Sequence, residues 1–496
     1  MTPSPIPSTD AAVIDVGSNS VRLVIYRLEG RAIWTIYNEK VLAGLGRDLK
    51  RTGKLSPPGC AAALAALRRF KAVLDAVRPD AIYTAATAAV REASDGEDFV
   101  RSVLRETGLD LRIISGEDEA RYSALGVVAG APDAGGVAGD LGGYSLELVR
   151  IKDGGPQDRV TLPLGPFALG ADWNLDEARR VVRKVLTPMA DRFRGGCFYA
   201  VGGAWRNLAL VQMQLTRYPL EILHQYEIAA REALETTAFI SRQSKGSLER
   251  LPRVSKKRAE SLPHAAVVLE GIIEHLGVET IQISAFGLRE GLLLDSMTQE
   301  TRARDPLVAG CAALGARQDI AEDLGGALEA WLSPAFATLP AIFEQGRDRV
   351  LVAAACRLAE LGSRLHPDHR AQLVFEQVLR APVAGVSHRE RAFLACAVYA
   401  RHTASSSIPE TGIIDRLLDK DGITRARALG AGIRLGCDLS GRSSVLLGRS
   451  DLDIDAAAVH LTAGKADADL LLGEQTARRA QTLASVLDRQ LTIETR

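Results

Sequence analysis

Asp15-Val16-Gly17-Ser18-Asn19-Ser20 and Asp140-Leu141-Gly142-Gly143-Tyr144-Ser145 are two copies of one phrase. The first follows the apolar run Ala11–Ile14 and precedes Val21–Tyr26, where Arg22 is the only charge; the second follows Val137–Gly139 and precedes Leu146–Ile151. Each reads as strand, tight glycine-containing turn, strand. A turn of this kind aims several backbone N–H groups at one point, and such a cluster holds a phosphate. The aspartate at the strand end repels phosphate at neutral pH unless a cation such as Mg²⁺ lies between them. An Asp-x-Gly turn is common, and one copy would pass for an ordinary β-hairpin. Two copies with matching flanks favour a duplicated fold that grips a phosphate chain between its halves.

The chain has 496 residues, enough for three or four domains of about 100–200 residues each. An apolar content of 47% and a charged content of 25% fit a soluble globular protein. Lys+Arg and Asp+Glu are equal at 61, so no global field draws in polyanions, and an anionic ligand has to be met by local basic groups. The six cysteines are scattered without C-x-x-C or ligand-like spacing, as buried thiols of a reducing compartment would be. Met1–Asp10 is Pro/Ser-rich without a basic or apolar block and reads as a loose leader rather than a signal peptide. No apolar run approaches the ~20 residues of a membrane span. These features predict a cytoplasmic protein that engages neither nucleic acid nor membrane.

From residue 11 to about 125, strand and helix alternate: the hairpin at 11–26, Ala32–Asn38, a helix Pro57–Val77, a strand Ala81–Ala85, a helix near Asp95–Thr107, and a short strand Leu111–Ile114. The logic repeats with a hairpin at 137–151, strand Arg159–Leu162, helix Asp176–Arg194, strand Cys197–Val201 and a helix from Trp205. Helices at 226–241 and 255–275 follow, then strand Thr280–Ser284 and a helix near Arg289. The polar stretch Glu300–Asp305 before Pro306 marks a boundary. Residues 307 to about 405 have the Ala/Leu-rich 3.6-residue period of helices. A shorter α+β tail then has strand-like Ser443–Leu447 and Ala457–Leu461 and a closing helix from Asp469. The domains are thus a leader (1–10), lobe I (11–125), lobe II (126–300), a helical domain (301–408) and a small α+β domain (409–496).

Four segments are candidates for chemistry. Ser115-Gly116-Glu117-Asp118-Glu119 puts three acids in a helix's first turn, with Ser115 as a candidate cap; acids there complement the helix dipole and need no other reason. The cluster nevertheless ends lobe I where the second hairpin returns, and a carboxylate beside bound phosphate can orient and deprotonate a water. Thr84–Arg91 runs from a strand into a helix of small residues, so Arg91 is either a surface arginine or a fork for phosphoryl oxygens. Val201-Gly202-Gly203-Ala204 is a strand, a Gly-Gly turn and a helix start, which suits an anion or merely tight packing. Arg253, Lys256, Lys257 and Arg258 form a basic run, usually a solvated face and here also a guide for a long polyanion.

Taken together these residues resemble the exopolyphosphatase/guanosine-pentaphosphate phosphohydrolase (Ppx/GppA) family, a branch of the actin and sugar-kinase superfamily. The resemblance rests on Ile14–Ser20, on Ile114-Ser115-Gly116 with Glu119-Ala120-Arg121, on Asp140–Gly143 with Ser145 and Glu147, and on Phe286–Gly291. It covers residues 11–295 clearly and the helical part more loosely. It implies an α/β fold of two duplicated actin/sugar-kinase-like (ribonuclease H-like) lobes, then an all-α HD-like domain and the small α+β domain. It implies further that Gly17, Ser18, Asn19 and Ser20 hold the terminal phosphate together with Gly142, Gly143 and Ser145; Asp15, Gly202 and Gly203 are further phosphate-binding candidates from their places at the strand ends. Glu119 falls on the family's catalytic base, Arg91 on its phosphate-binding arginine, and Asp140 and Glu147 on the acids that hold Mg²⁺ through water.

The sequence departs from the family pattern at Tyr144 and Leu146, where relatives commonly have glycine and threonine. Tyr144 restricts the loop and is expected to project its ring at the cleft; Leu146 removes a hydroxyl. Arg357-Leu358-Ala359-Glu360-Leu361-Gly362 stands where a working HD domain would read His-Asp, so a dimetal site there is not expected, and His366 and His369 read as a surface pair. The resemblance implies an Mg²⁺-dependent exopolyphosphatase acting on inorganic polyphosphate, and a homodimer. Its rivals are hydrolysis of guanosine pentaphosphate, a superfamily kinase, an actin- or chaperone-like ATP switch, and a non-enzymatic polyphosphate or alarmone sensor.

Overall fold

Two sheets carry the duplicated phrase. In the computed structural model, which describes residues 8–169, 174–251, 259, 261–316, 323–344 and 346–496, lobe I contains β1 (Ser8–Val16), β2 (Val21–Glu29), β3 (Ala32–Val41) and β4 (Ala81–Ala86). Its sheet has the order β3-β2-β1-β4, with β4 parallel to β1. Lobe II contains β5 (Gly136–Leu141), β6 (Leu146–Lys152), β7 (Gly155–Leu162), β8 (Cys197–Val201), β9 (Tyr226–Ala229) and β10 (Thr280–Ser284), in the order β7-β6-β5-β8-β10-β9. The first four strands of each lobe therefore follow one plan: a meander whose first strand pairs in parallel with the fourth. Parallel strands need a crossover. In lobe I it includes the helix Pro57–Val77, which starts with prolines at its first two positions and buries Ala63, Leu67, Phe70 and Leu74 along one face.

The chain divides into two units, one built on Ser8–Leu28 and Ile33–Ala303, the other on Arg304–Arg496. Within the first unit, each lobe has its own core, and a third core joins them around the helices Gly116–Gly130 and Leu288–Ser296. Glycine lets these two helices touch backbone to backbone. A Cβ on Gly126 would lie 2.0 Å from the Gly287 carbonyl oxygen, and one on Gly291 only 1.8 Å from that of Tyr122.

The second unit begins with the helices Pro306–Ala316, Leu324–Ala337, Arg347–Arg357, Pro367–Arg380, His388–His402, Thr411–Leu417 and Lys420–Leu439. A three-stranded sheet follows, β11 (Ser450–Ile454), β12 (Ala458–Ala463) and β13 (Gln490–Thr495), with the helix Glu474–Val486 between its last two strands. Instead of a His-Asp pair, the segment after Arg357 buries Glu360 between two guanidiniums, with Arg401 at 3.3 Å and Arg442 at 3.1 Å. His366 caps the helix Pro367–Arg380 from an exposed position, with the His369 ring 5.8 Å away.

Several local expectations need correction. Ser8–Asp10, read as leader, belong to β1, where Asp10 pairs with Arg27. Leu111–Ile114 forms only an isolated bridge from Ile113 to Ala86, too short for a strand. Residues 226–229 are β9, because alternately buried Tyr226 and Ile228 complete the edge beside β10; the helix starts at Ala230. Ser443–Leu447 is a helical turn capped by Ser443, its apolar run too short to distinguish strand from helix. The basic run Arg253–Arg258 lies outside the described residues. All six cysteines are free thiols, and no described helix is long and apolar enough to cross a membrane. Gly291→Ala should lower unfolding stability by roughly 1–3 kcal/mol in urea denaturation. Gly155→Ala, where a Cβ meets nothing within 4 Å, should leave it nearly unchanged.

Candidate active site

The two copies of the phrase fold alike. Gly17 N–H donates to the Ser20 carbonyl at 2.9 Å, and Gly142 N–H donates to the Ser145 carbonyl at 2.9 Å. Among the described residues, the amides of Ser18, Asn19, Gly143 and Tyr144 have no protein acceptor, which leaves donors of both turns available to an anion. The turns face each other closely: a Cβ on Gly143 would lie 3.2 Å from the Ser18 Cβ. Ser18 and Ser145 are both buried.

Sheet register sets the carboxylates. Asp15 is one residue short of the end of β1, and Asp140 stands directly opposite Glu147 across the β5–β6 pair. Directly paired residues project from the same face of a sheet, so these two carboxyl groups are neighbours. Ser123 donates to Asp140 Oδ2 at 2.6 Å, while Gly202 (φ 114°) and Gly287 keep the space around that carboxylate clear. Glu147 is 1% exposed; the Ser145 hydroxyl bonds it, but its Oε1 has no partner.

Of the three acids in the first turn of the helix Gly116–Gly130, only Glu119 turns to this place. Glu117 reaches out to Arg159, and Asp118 closes on Ser115, which caps the helix by accepting from the Asp118 amide. Glu119 Oε2 instead accepts from Arg91 Nη1 at 2.9 Å. Arg91, on the short helix Ala88–Glu92, also reaches the Ile114 carbonyl and Glu92. Burial raises the Glu119 carboxyl to about 7, against the ion pair with Arg91, with Asp140 and Asp15 adding to the rise. Burial also raises Glu147 well above the usual range, helped by Glu119 and Asp140, and raises Asp140. Burial alone would lower Arg91, yet its pairing with Glu119 outweighs this and raises it.

The fold therefore brings Asp15, Glu119, Asp140 and Glu147 together with Arg91 and the two turns. Gly202 is pressed against the backbone of Leu141, and Gly203 lends its carbonyl to the Asn207 side chain, so the Gly-Gly turn has a packing reason of its own. The half-buried Tyr144 ring packs on the lobe I core across the seam where the two turns meet. Sequence reading assigned no role to Arg289, which crosses from lobe II to pair with Asp15 Oδ2 at 2.8 Å. Nor did it foresee the Tyr26 hydroxyl donating to Glu290 Oε1 at 2.5 Å, or Ser123 on Asp140. The available signal was the Phe286–Gly291 phrase, in which Arg289 and Glu290 are adjacent.

Among the described residues no three His, Cys, Asp or Glu side chains converge to hold a metal by themselves. Mg²⁺ does not need such a cage; it binds through one or two carboxylates, waters and substrate phosphates. Asp140 and Glu147, with an orphaned buried carboxylate oxygen, fit that pattern.

The family model for the Ppx/GppA phosphatase family matches residues 24–300. The chain belongs to the Ppx/GppA phosphatase family. A second model, exopolyphosphatase C-terminal, matches residues 322–493. Among curated relatives, Exopolyphosphatase 1 of Mycobacterium leprae is 27% identical over 303 residues, covering 58% of this chain and 89% of that protein. Exopolyphosphatase 1 of Mycobacterium tuberculosis H37Rv is 28% identical, covering 58% and 88%. Among solved structures, the Aquifex aeolicus Ppx/GppA family member aligns with TM-score 0.51 at 24% identity over 58% of this chain and 97% of its own. An exopolyphosphatase from Cytophaga hutchinsonii aligns with TM-score 0.53 at 21% identity over 57% and 96%. These structures share the fold of the two lobes of this Ppx/GppA protein.

The raised carboxyls make a stability prediction. A carboxyl raised on folding makes the native state bind more protons than the unfolded one, so stability falls as pH rises through the window between the two values. For Glu119 that window runs from 4.5 to about 7. Metal-free protein should melt at progressively lower temperature from pH 5 to 7.5, and Glu147→Gln should flatten part of this slope. Thermal melts across that range provide the check.

Proposed function

We propose that this Ppx/GppA protein is an exopolyphosphatase that removes orthophosphate from the end of inorganic polyphosphate with Mg²⁺ bound. The observation that carries this reading is the Glu119 carboxyl, buried and raised to about 7, held by Arg91 beside two turns with available amides. Base catalysis works best with a pKa near the working pH. The preference for polyphosphate rests on the exopolyphosphatase model over residues 322–493 and on the names of the curated relatives.

In this reading the terminal phosphate lies against the amides of Ser18, Asn19, Gly143 and Tyr144. Arg91 keeps Glu119 ionised and oriented through Nη1 and offers its remaining N–H groups to the phosphoryl oxygens. Glu119 takes a proton from water as the water oxygen bonds the terminal phosphorus in line. The bridging P–O bond breaks, and its electrons leave on the shortened chain, which takes up a proton from solvent or from Glu119. Asp140 and Glu147 would hold Mg²⁺, which supplies charge neutralisation for the phosphate oxygens. Asp15, oriented by Arg289, keeps a second acid at the first turn.

Glu119→Gln should lower turnover of long-chain polyphosphate by about 10²–10⁴-fold, the usual contribution of a general base, while tripolyphosphate binding by calorimetry persists. Near-normal turnover would show that another group is the base. Phosphate release from polyphosphate and from guanosine pentaphosphate, measured in parallel, decides the substrate: rapid release from the nucleotide alone would replace this reading with the sister activity. Mg²⁺ should raise the melting temperature of the wild type at pH 7.5, and Glu147→Gln should blunt that rise.

A further inference from the structure

Tyr144 and Phe167 stand where lobe II's turn meets lobe I. Tyr144 is packed on the core that holds Val16, Leu45 and Val90, a cluster otherwise drawn from residues up to Ile113. Its backbone is strapped down from behind: Gly165 N–H donates to the Tyr144 carbonyl at 3.0 Å, and Phe167 N–H donates to the Gly143 carbonyl at 2.9 Å. The Phe167 ring then lies across the seam. A Cβ on Gly143 would be 3.2 Å from Phe167 Cε2, and one on Gly46 would be 3.6 Å from Phe167 Cδ2. Gly46 and Gly44 belong to lobe I and themselves hold the first turn, their amides donating to the carbonyls of Ser18 (2.8 Å) and Asn19 (3.1 Å). The short helices Leu49–Thr52 and Pro166–Leu169 also touch at this seam.

We infer that Tyr144 and Phe167 form an aromatic latch that fixes the spacing of the two phosphate turns, and that they are positioning residues for the terminal phosphate. The inference rests on the exopolyphosphatase reading only for its substrate. The hydrogen bonds tie each turn to its own lobe, whereas the two rings cross between lobes. A turn lined by glycine alone would leave that spacing to the joining helices Gly116–Gly130 and Leu288–Ser296. Here packing of the half-buried tyrosine ring on the opposite lobe draws the mouth together, and the phenol oxygen is not needed for it. A phosphate bound between fixed donors avoids the cost of drawing them together on binding, so the latch acts on substrate affinity more than on the chemical step.

The test compares full-length wild type, Tyr144→Phe, Tyr144→Ala and Phe167→Ala by hydrogen exchange without ligand and by kinetics on long-chain polyphosphate with Mg²⁺. In Tyr144→Ala and Phe167→Ala, exchange of the amides of Gly17, Gly46, Gly142 and Phe167 should quicken about tenfold, the scale of a lost aromatic contact, while the helix Pro57–Val77 and β12 stay unchanged. KM should rise about tenfold with kcat within about threefold, the signature of lost ground-state positioning. Tyr144→Phe, which keeps the ring, should be less affected than Tyr144→Ala in both. Unchanged exchange and KM in both alanine variants would overturn the latch, as would faster exchange throughout lobe I or a Tyr144→Phe variant as impaired as alanine. Should Tyr144→Ala fail to fold, Phe167→Ala decides alone. A wild type that hydrolyses no polyphosphate defeats the functional reading, and the exchange data still decide the latch.

Discussion

Four carboxylates crowded together, three from two sheets and one from the helix Gly116–Gly130, are the constraint on which this molecule turns. Burial raises the affinity of Glu119, Asp140 and Glu147 for protons, and the neighbouring carboxylates raise it further. Like charges drawn out of water are costly unless something compensates. The compensation comes from Arg91 on Glu119, Arg289 on Asp15, and the Ser123 and Ser145 hydroxyls on Asp140 and Glu147. What remains, above all the unpartnered Glu147 Oε1, suits a cation with a phosphate beyond it. A fold that sought only stability would not assemble this group.

Duplication explains how the chain assembles it. Each lobe places an aspartate one residue short of the end of its first strand and then turns through a glycine whose amide bonds the serine three residues on. Opposed across a seam, the two turns bring their aspartates and amides to one place. The joining helices meet at Gly126 and Gly291 without intervening side chains, so the lobes share a core at the base while the aromatic pair closes them at the mouth. The inter-lobe pair Asp15–Arg289 spans 274 residues of sequence, which shows how far the site depends on the completed tertiary fold.

Much of this was legible in the residues. The repeated phrase marked both turns, strands Cys197–Val201 and Thr280–Ser284 and the helix Pro57–Val77 were legible end to end, and the four-fold resemblance identified the family. Sequence could not separate Glu119 from Glu117 and Asp118 by chemistry, since all three suit a first turn; only the helix phase, which sends Glu117 to Arg159 and Asp118 to Ser115, distinguishes them. The partner of the Tyr144 ring was not legible, because a ring's direction follows from what it can pack on, and its partner core lies in the other lobe. The 226–229 segment was misread as helix because an edge strand of four residues offers too short a period to see. Arg289 escaped notice because nothing local to it announces a partner so far back in the chain.

The central claim is that water, deprotonated at Glu119, attacks the terminal phosphorus held between the two turns. Hydrolysis of polyphosphate in ¹⁸O-labelled water with Mg²⁺ tests it most directly, because the label records which phosphorus was attacked. The account predicts one labelled oxygen in each released orthophosphate and none in the shortened chain. Label in the new chain end instead would contradict it, because attack would then have occurred at the penultimate phosphorus, outside the grip of the turns.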